Sequence, residues 1–199
     1  MAWPPFFTLD LLALGLLPSG WDEDLIALVD APERQIIYPS EFSPQVDGES
    51  WSFAVVSGDL LRDRCSWLLP LYLGRMLAFS ASSFDRPIFV EKRLRSAISL
   101  HILCGAGARI DWHAHSNMVN GLLFVSSADE AGGGDLKFRD GDGREIAIAP
   151  KAGTFVCFDG AVDHCVTPLR SSAPRLSVPL IYFTSADEQH PAYGDDIYS

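Results

Sequence analysis

Three of the five histidines in this sequence have a spacing that suits a metal site. His113 and His115 are separated by one residue, and His164 follows 49 residues after His115. Residues two apart on a strand point to the same side, so the pair would present both rings to one ligand. Neutral imidazole is a good ligand for iron, zinc, copper and nickel. The spacing therefore predicts a metal centre, with core or surface histidines satisfied by hydrogen bonds as the alternative.

A candidate anion-binding group lies at the start of the last apolar segment. Arg175 comes 11 residues after His164, and strand alternation puts Ser177 on the same face as Arg175. A planar guanidinium grips a carboxylate with two charge-assisted hydrogen bonds. An arginine and a serine on one face of a strand are groups that can bind an anion. Arg170 is a rival for this role, and a structural ion pair in the core is the other interpretation of Arg175.

The second half of the chain must position these residues, and it reads as a series of short strands. The segments are rich in β-branched and aromatic residues, and turn residues such as Asp140–Gly143 separate neighbouring segments. Strands this short and closely spaced indicate a sandwich or barrel of antiparallel sheets. The predicted strands are Ile88–Glu91, Ser96–Cys104, Arg109–His113, Asn120–Ser126, Leu136–Arg139, Glu145–Ala149, Thr154–Phe158, His164–Thr167 and Arg175–Thr184.

The first 87 residues have a mostly helical pattern. Thr8–Leu17 is nearly continuously apolar after a capping residue, and a second helix begins at Trp21 with acidic residues in its first turn. Asp59–Phe79 predicts a long helix that Pro70 kinks or divides. Two peripheral strands are predicted at Arg34–Tyr38 and Trp51–Val56.

Length and composition bound the organisation of the chain. The 199 residues, 48% of them hydrophobic, suit one domain with a helical portion over 1–87, a β core over 88–185 and a polar tail over 186–199. The net charge of −11 disfavours a broad phosphate-binding surface, so nucleic acid is a poor partner. A small molecule that enters a pocket fits better. The sequence leaves the oligomeric state open.

Cysteine use and the N-terminal residues bear on the cellular location. The four cysteines have no Cys-x-x-Cys spacing, and three lie in strand-like apolar segments. We therefore expect buried free thiols in a reduced compartment, the cytoplasm. The apolar run Leu11–Leu17 follows Asp10 and has no cationic residue before it, so we expect neither a signal peptide nor a membrane span.

The motifs occur in an order that resembles a known enzyme family. Gly105–Gly107 precedes the histidine pair, and Gly132–Leu136, Pro150–Phe158 and His164 follow it. This order is similar to that of the Fe(II)- and 2-oxoglutarate-dependent dioxygenases, in particular their prolyl-4-hydroxylase-like branch. In that family a glycine turn precedes a His-x-Asp pair, and two glycine-containing strands, the distal histidine and a basic residue come next. The resemblance covers Arg95–Thr184, which is 90 of the 199 residues.

The resemblance implies a fold, cofactors and site residues. The fold would be mainly β with flanking helices, a double-stranded β-helix of the jelly-roll or cupin type. His113, His115 and His164 would bind Fe(II), and Arg175 with Ser177 would bind 2-oxoglutarate. The implied activity is hydroxylation or a related C–H oxidation of a small, amino-acid-like or natural-product substrate.

The sequence departs from the family at one metal ligand. His115 occupies the aspartate position, so the ligand set would be three histidines and the net charge of the site one unit higher. If the register shifts by two residues, His115 becomes the first ligand and Asn117 stands at the carboxylate position. Asp111 shares the face of His113 and is a third option. A three-histidine dioxygenase that does not use 2-oxoglutarate and a non-catalytic ligand-binding barrel therefore stay open as alternatives.

Overall fold

The computed structural model describes residues 3–37, 50–84, 86–116, 118–129 and 132–187 of the chain. The strands in this part are β1 Phe6–Asp10, β2 Gln35–Ile37, β3 Ser52–Ser57, β4 Phe89–Val90, β5 Ser99–Cys104, β6 Ile110–His113, β7 Met118–Phe124, β8 Leu136–Arg139, β9 Glu145–Ile148, β10 Thr154–Asp159, β11 Asp163–Val166 and β12 Arg175–Phe183. The helices are α1 Trp21–Ile26, α2 Gly58–Arg64, α3 Leu68–Leu71, a π-helical turn Tyr72–Met76, α4 Leu77–Ser83 and α5 Leu94–Ala97.

The strands form two antiparallel sheets. The larger sheet has the order β1-β10-β7-β12-β5-β3-β2, and β4 pairs with the end of β12. The smaller sheet has the order β6-β11-β8-β9. Phe124 and Phe158 of the larger sheet pack against Leu136 and Phe138 of the smaller one, so the two sheets enclose an apolar interior. The predicted mainly β architecture of antiparallel sheets is confirmed.

Alternation along β12 separates the core from the interior between the sheets. Val178, Leu180 and Tyr182 belong to the core that the helices form with the outer face of the larger sheet. Arg175 and Ser177 alternate with them and therefore face the interior. Each large apolar side chain stabilises the fold by about 1.5–3 kcal/mol when it is buried. The outer face of β12 thus determines which way its polar residues point.

The strands predicted after residue 87 are all present, most with ends shifted by a few residues. The largest shift is at the start of β5, because Leu94–Ala97 form a helical turn instead. The helix predicted to begin at Trp21 is confirmed as α1, and Leu25 lies on its buried side. Ile26, the last residue of α1, is 51% exposed.

The helix predicted over Thr8–Leu17 is wrong. Phe6–Asp10 form β1, which pairs with β10 along its whole length, and a turn follows from residue 11 to residue 15. A continuous apolar run does not distinguish a strand from a helix. The edge of β10 offers backbone hydrogen-bond partners to β1, and this tertiary pairing replaces the bonds that a helix would have made internally.

The long helix predicted over Asp59–Phe79 is interrupted, but not at Pro70. It ends at Arg64, restarts at Leu68 and continues through the π-helical turn to Ser83. Pro70 lies in the first turn of α3, where its missing N–H has no intrahelical partner to lose. None of the helices in the described part of the chain has the length and apolar character needed to cross a membrane.

The strands of the first third of the chain are integral to the larger sheet. Of the two segments predicted to be peripheral, β3 lies between β2 and β5, so that prediction is wrong for β3. Together with β1, these strands extend the sheet to residues before 88. The division of the chain after residues 87 and 185 stays a prediction. Tyr38 and residues 188–199 of the predicted tail lie outside the described residues.

The four cysteines carry free thiols, and three of them are buried. Burial raises the pKa of Cys65 to about 11. Burial also raises the pKa of Cys157 to about 12, although its hydrogen bond with Ser80 acts in the opposite direction. These two thiols therefore stay protonated at neutral pH and behave as small core residues.

Tyr72 joins the helical layer to the larger sheet, and its replacement should destabilise the fold. Its hydroxyl donates to the Ile181 carbonyl oxygen at 2.7 Å and accepts from the Glu91 N–H at 2.9 Å. Tyr72→Phe removes the hydroxyl that pairs with two backbone groups, so we expect the free energy of unfolding in urea to fall by about 1–3 kcal/mol. Tyr182→Phe is the control, because it loses one hydrogen bond, to the Tyr72 carbonyl. Equal losses for the two variants would contradict this account.

Candidate metal centre

The three predicted metal ligands come together between the two sheets. His113 ends β6 and lies opposite His164 on the neighbouring strand β11. Their ring centroids are 4.2 Å apart, and the ring of His115 lies 5.0 Å from His113 and 5.4 Å from His164. The ligand nitrogens of the three rings all lie within 4.8 Å of one another. In the part of the chain that the structure describes, no other group of three His, Cys, Asp or Glu side chains comes this close.

A turn after β10 positions His115. The His115 backbone N–H donates to the Gly160 carbonyl oxygen at 2.7 Å, and the Gly160 N–H donates to the Met118 carbonyl oxygen at 2.9 Å. A Cβ atom at residue 160 would lie 3.2 Å from the Cβ of His115 and 3.1 Å from the Met118 carbonyl oxygen. This close approach favours glycine at residue 160. The turn thus positions His115, which lies outside the strands.

Backbone carbonyls set the tautomers of two of the rings. Nδ1 of His113 lies 2.7 Å from the Asp111 carbonyl oxygen, and Nδ1 of His164 lies 2.7 Å from the Val162 carbonyl oxygen. A carbonyl oxygen can only accept, so each Nδ1 carries the proton and each Nε2 presents a lone pair. Nε2 is therefore the atom through which these two rings could bind a metal.

Desolvation keeps these two rings neutral. Burial lowers the pKa of His164 to about 3, and the neighbouring His113 contributes to the same shift. Burial also lowers the pKa of His113. A metal requires neutral imidazole, so protons do not compete for His164 near neutral pH.

Of the alternative ligands considered from the sequence, Asp111 is not part of this group. The Asp111 carboxylate lies 3.3 Å from Nε of Arg109, and Asp111 is absent from the clustered side chains. Its backbone carbonyl holds His113. Asn117 lies outside the described residues. Among the described residues, the arrangement is that of a three-histidine group.

Arg175 is buried in the interior, and one of its guanidinium nitrogens has no hydrogen-bond partner in the described part of the chain. It is 4% exposed, its Nε donates to the Gly134 carbonyl oxygen at 2.7 Å, and its Nη1 donates to Oγ of Ser177 at 3.0 Å. Nη2 has no hydrogen-bond partner among the described residues. Burial lowers the pKa of Arg175 to about 10, so the guanidinium is still a cation at neutral pH. A buried cation with an unpaired donor suits an anionic ligand.

The surroundings of Arg175 hold its side chain in place. Its guanidinium carbon lies 5.3 Å from the centroid of the Phe124 ring. A Cβ atom at residue 134 would lie 3.0 Å from Cδ of Arg175, so Gly134, at φ +73°, leaves room for the arginine. The rival Arg170 is exposed. Of the two arginines, Arg175 is therefore the one in the interior.

Asn120 is a polar residue of the interior that the sequence pattern did not assign to the site. It is 6% exposed on β7, and its Oδ1 has no hydrogen-bond partner among the described residues. Its register partner on β10 is Phe158, whose ring centroid lies 4.8 Å from that of His164. The amide is thus next to a ring that contacts the triad. The available signal was a lone polar side chain within the apolar segment Met118–Phe124.

His101 faces the interior beside the candidate anion site. It lies opposite Ser177 on the neighbouring strand β5, and its ring centroid is 5.2 Å from that of Phe53. Desolvation lowers the pKa of His101 to about 3, and the charge of Arg175 acts in the same direction. His101 is therefore neutral at neutral pH and adds hydrogen-bonding capacity without charge.

Solved structures share this architecture. SnoN, an α-ketoglutarate-dependent epimerase from nogalamycin biosynthesis, has a TM-score of 0.66 at 13% identity, covering 98% of this chain and 86% of its own. AviO1 from Streptomyces viridochromogenes has a TM-score of 0.66 at 15% identity, covering 94% and 93%. A Pseudomonas putida prolyl-4-hydroxylase has a TM-score of 0.52 at 20% identity, covering 90% and 92%. The chain has the fold of the 2-oxoglutarate- and Fe(II)-dependent oxygenases.

The predicted double-stranded β-helix is confirmed by these similarities, and the resemblance read from the sequence is confirmed for the fold. No protein-family model matches the chain, and no curated protein matches it significantly in sequence. A shared fold hosts many chemistries, so the function must be argued from the residues of the site.

His101 should make the metal-free protein less stable in mild acid. Its pKa is about 3 in the folded chain and about 6.5 when unfolded, so between these values the unfolded state binds more protons. Its contribution to stability is complete above pH 6.5 and is lost as the pH falls towards 3. We expect wild type to lose more free energy of unfolding than His101→Gln between pH 7 and pH 4.5, measured in urea with a chelator present. Identical pH dependence in the two proteins would contradict the assignment.

Proposed function

We propose that the protein is a non-haem Fe(II)- and 2-oxoglutarate-dependent oxygenase that hydroxylates a small molecule or carries out a related C–H oxidation. The observation that supports this is the combination of three clustered imidazoles with a buried, incompletely paired arginine inside one barrel. SnoN, which has the same fold, has been crystallised in complex with Fe3+, α-ketoglutarate and nogalamycin RO.

His113, His115 and His164 would hold the metal through one nitrogen each. Imidazole donors suit iron, and three protein ligands leave coordination positions open for other groups. When bound, Fe(II) and 2-oxoglutarate supply the oxidising chemistry. The protein would orient the bound groups and exclude water from one side of the metal, because the apolar rings of Phe138 and Phe158 lie beside His164.

Arg175 and Ser177 would bind the distal carboxylate of 2-oxoglutarate. Gly134 and Ser177 already engage two of the guanidinium nitrogens, so the group is oriented before a ligand arrives and Nη2 is left to donate. A preorganised group loses less conformational entropy on binding. Neutral His101, opposite Ser177, would add a hydrogen bond in the same region.

The all-histidine ligand set makes the site more positive than the two-histidine, one-aspartate set of the family. Three neutral imidazoles leave the full charge on a divalent ion, and Arg175 adds a third buried positive charge. The two carboxylates of 2-oxoglutarate would offset two of these three charges, and the low dielectric of the interior strengthens that attraction. His115 at the aspartate position is therefore compatible with a dianionic co-substrate.

The substrate that we propose is a small amino-acid-like or natural-product molecule, and the enzyme would work in the cytoplasm. Asn120 would contact this substrate, because its buried Oδ1 can accept a hydrogen bond from an N–H or O–H group. The net charge of −11 disfavours nucleic acid as a substrate. The free thiols of the four cysteines suit a reducing compartment.

A second candidate function keeps the metal and omits 2-oxoglutarate. The observation that favours it is the ligand group itself, which consists of histidines alone. In such a three-histidine dioxygenase the organic substrate would bind the metal directly. Formation of succinate from 2-oxoglutarate distinguishes the two functions.

His115→Ala should weaken Fe(II) binding, measured by anaerobic competition with a chelator. Loss of an outer partner of a metal ligand costs about 10–100-fold in affinity, and loss of a ligand should cost at least as much. Asp111→Asn is the matched control, because its carboxylate lies by Arg109 and the variant retains the backbone carbonyl that holds His113. We expect this control to bind Fe(II) as wild type does. Weakened binding in the control alone would move the ligand assignment to Asp111.

Anaerobic addition of 2-oxoglutarate to the Fe(II)-loaded protein should produce the weak visible charge-transfer band of a bidentate chelate. Arg175→Lys keeps a cation but loses the planar fork. Loss of one charged hydrogen bond costs about 1.5–3 kcal/mol, so we expect the dissociation constant for 2-oxoglutarate to rise about 10- to 100-fold. Arg170→Lys is the control and should leave the titration unchanged, because Arg170 is exposed.

Two outcomes would overturn the proposal in different ways. Iron binding without the charge-transfer band, and without succinate formation in oxygen, would favour the three-histidine dioxygenase. Failure of the wild-type protein to bind Fe(II) at micromolar concentration would favour a non-catalytic ligand-binding barrel.

A further inference from the structure

The turn Asp159–Val162 holds two of the three candidate ligands. Its Gly160 carbonyl oxygen accepts from the N–H of His115 at 2.7 Å, and its Val162 carbonyl oxygen lies 2.7 Å from Nδ1 of His164. The positions of two rings therefore depend on one short segment between β10 and β11.

The carboxylate of Asp159 stabilises this turn from within. Its Oδ1 accepts from the Ala161 N–H at 3.0 Å, and the Asp159 carbonyl oxygen accepts from the Val162 N–H at 3.1 Å. Its Oδ2 accepts from Nη2 of Arg86 at 2.6 Å. The Asp159 side chain is 10% exposed, so its charge is largely removed from water and depends on this partner.

Arg86 comes from a distant part of the chain, 73 residues before Asp159. Its guanidinium carbon lies 5.7 Å from the centroid of the Phe84 ring, and that ring contacts the ring of Phe7 on β1 at 5.6 Å. Arg86 thus lies beside two aromatic rings that pack against each other. The ion pair joins the segment after α4 to the turn that carries the metal ligands.

We propose that Arg86 is a positioning residue for the metal centre, acting on His115 through Asp159 and the Gly160 carbonyl. The proposal rests on the metal-binding function proposed for the triad. Without Arg86, the buried Asp159 carboxylate would draw in water and the turn would relax. His115 is the ligand that this relaxation affects most, because β11 holds His164 by pairing on both sides.

A second ion pair at the other end of the same turn provides a matched control. Arg139 Nη2 lies 2.8 Å from Oδ2 of Asp163, and the arginine side chain is 37% exposed, as it is in Arg86. The Asp163 side chain, however, is 44% exposed. Exposed ion pairs contribute little to the stability of the folded structure, so Arg139 should not position the metal ligands.

The test compares Arg86→Gln with Arg139→Gln by anaerobic Fe(II) titration and by visible absorption of the Co(II)-loaded protein. We expect Arg86→Gln to weaken Fe(II) binding about tenfold, the lower end of the loss when an outer partner of a metal ligand is removed. It should also change the Co(II) spectrum, and Arg139→Gln should do neither. Arg86→Lys restores the charge without the planar fork and should recover part of the affinity.

Repeating Arg86→Gln in a His115→Ala background shows whether Arg86 acts through that ring. We expect no further loss of Fe(II) affinity, because both changes affect the same contact, whereas independent effects would add. Thermal unfolding of the metal-free variants is measured alongside. Additive losses would overturn the proposal, and so would a lower unfolding temperature with unchanged Fe(II) affinity and Co(II) spectrum.

The failure of the proposal and the failure of the ligand assignment give different results. If His115→Ala alone leaves Fe(II) affinity unchanged, the three-histidine ligand set is wrong, and the positioning role falls with it. If His115→Ala weakens binding and Arg86→Gln does not, the positioning role alone is wrong.

Discussion

The antiparallel pairing of β6 with β11 is the constraint on which the candidate site depends. It places His113 opposite His164, and each ring is held by the carbonyl of the residue two positions earlier in the chain. The same local geometry at both strands gives the two rings the same tautomer. The third ring comes from outside the strands, and the Gly160 turn brings it to the pair.

The interior between the sheets favours negatively charged ligands because it holds a buried positive charge. The environment that keeps His164 neutral also lowers the pKa of Arg175, because positive charge is poorly solvated there. An anion that enters such a space replaces lost hydration as well as forming contacts. The interior therefore favours a ligand that places a negative charge next to Arg175.

Sequence patterns predicted the features that depend on local alternation and spacing. The strands after residue 87, the grouping of the histidines and the interior position of Arg175 all follow from which face of a strand each residue occupies. The patterns failed where partners are distant. β1 is a strand because β10 offers an edge, and Arg86 meets Asp159 across 73 residues, which no local signal encodes. Asn120 was missed because a single amide in an apolar strand does not show whether it will find a partner.

The pairing of β1 with β10 has a consequence for how the chain folds during synthesis. Phe6–Asp10 are synthesised well before their partner strand, Thr154–Asp159. His164 follows that strand by a few residues, so the partner of β1 and the last of the three histidines are synthesised at almost the same moment. Non-local pairing of this kind is slow, because loop-closure entropy must be overcome before the contacts form. The candidate metal centre should therefore be among the last parts of the molecule to assemble, after the helical layer and most of the larger sheet have been synthesised.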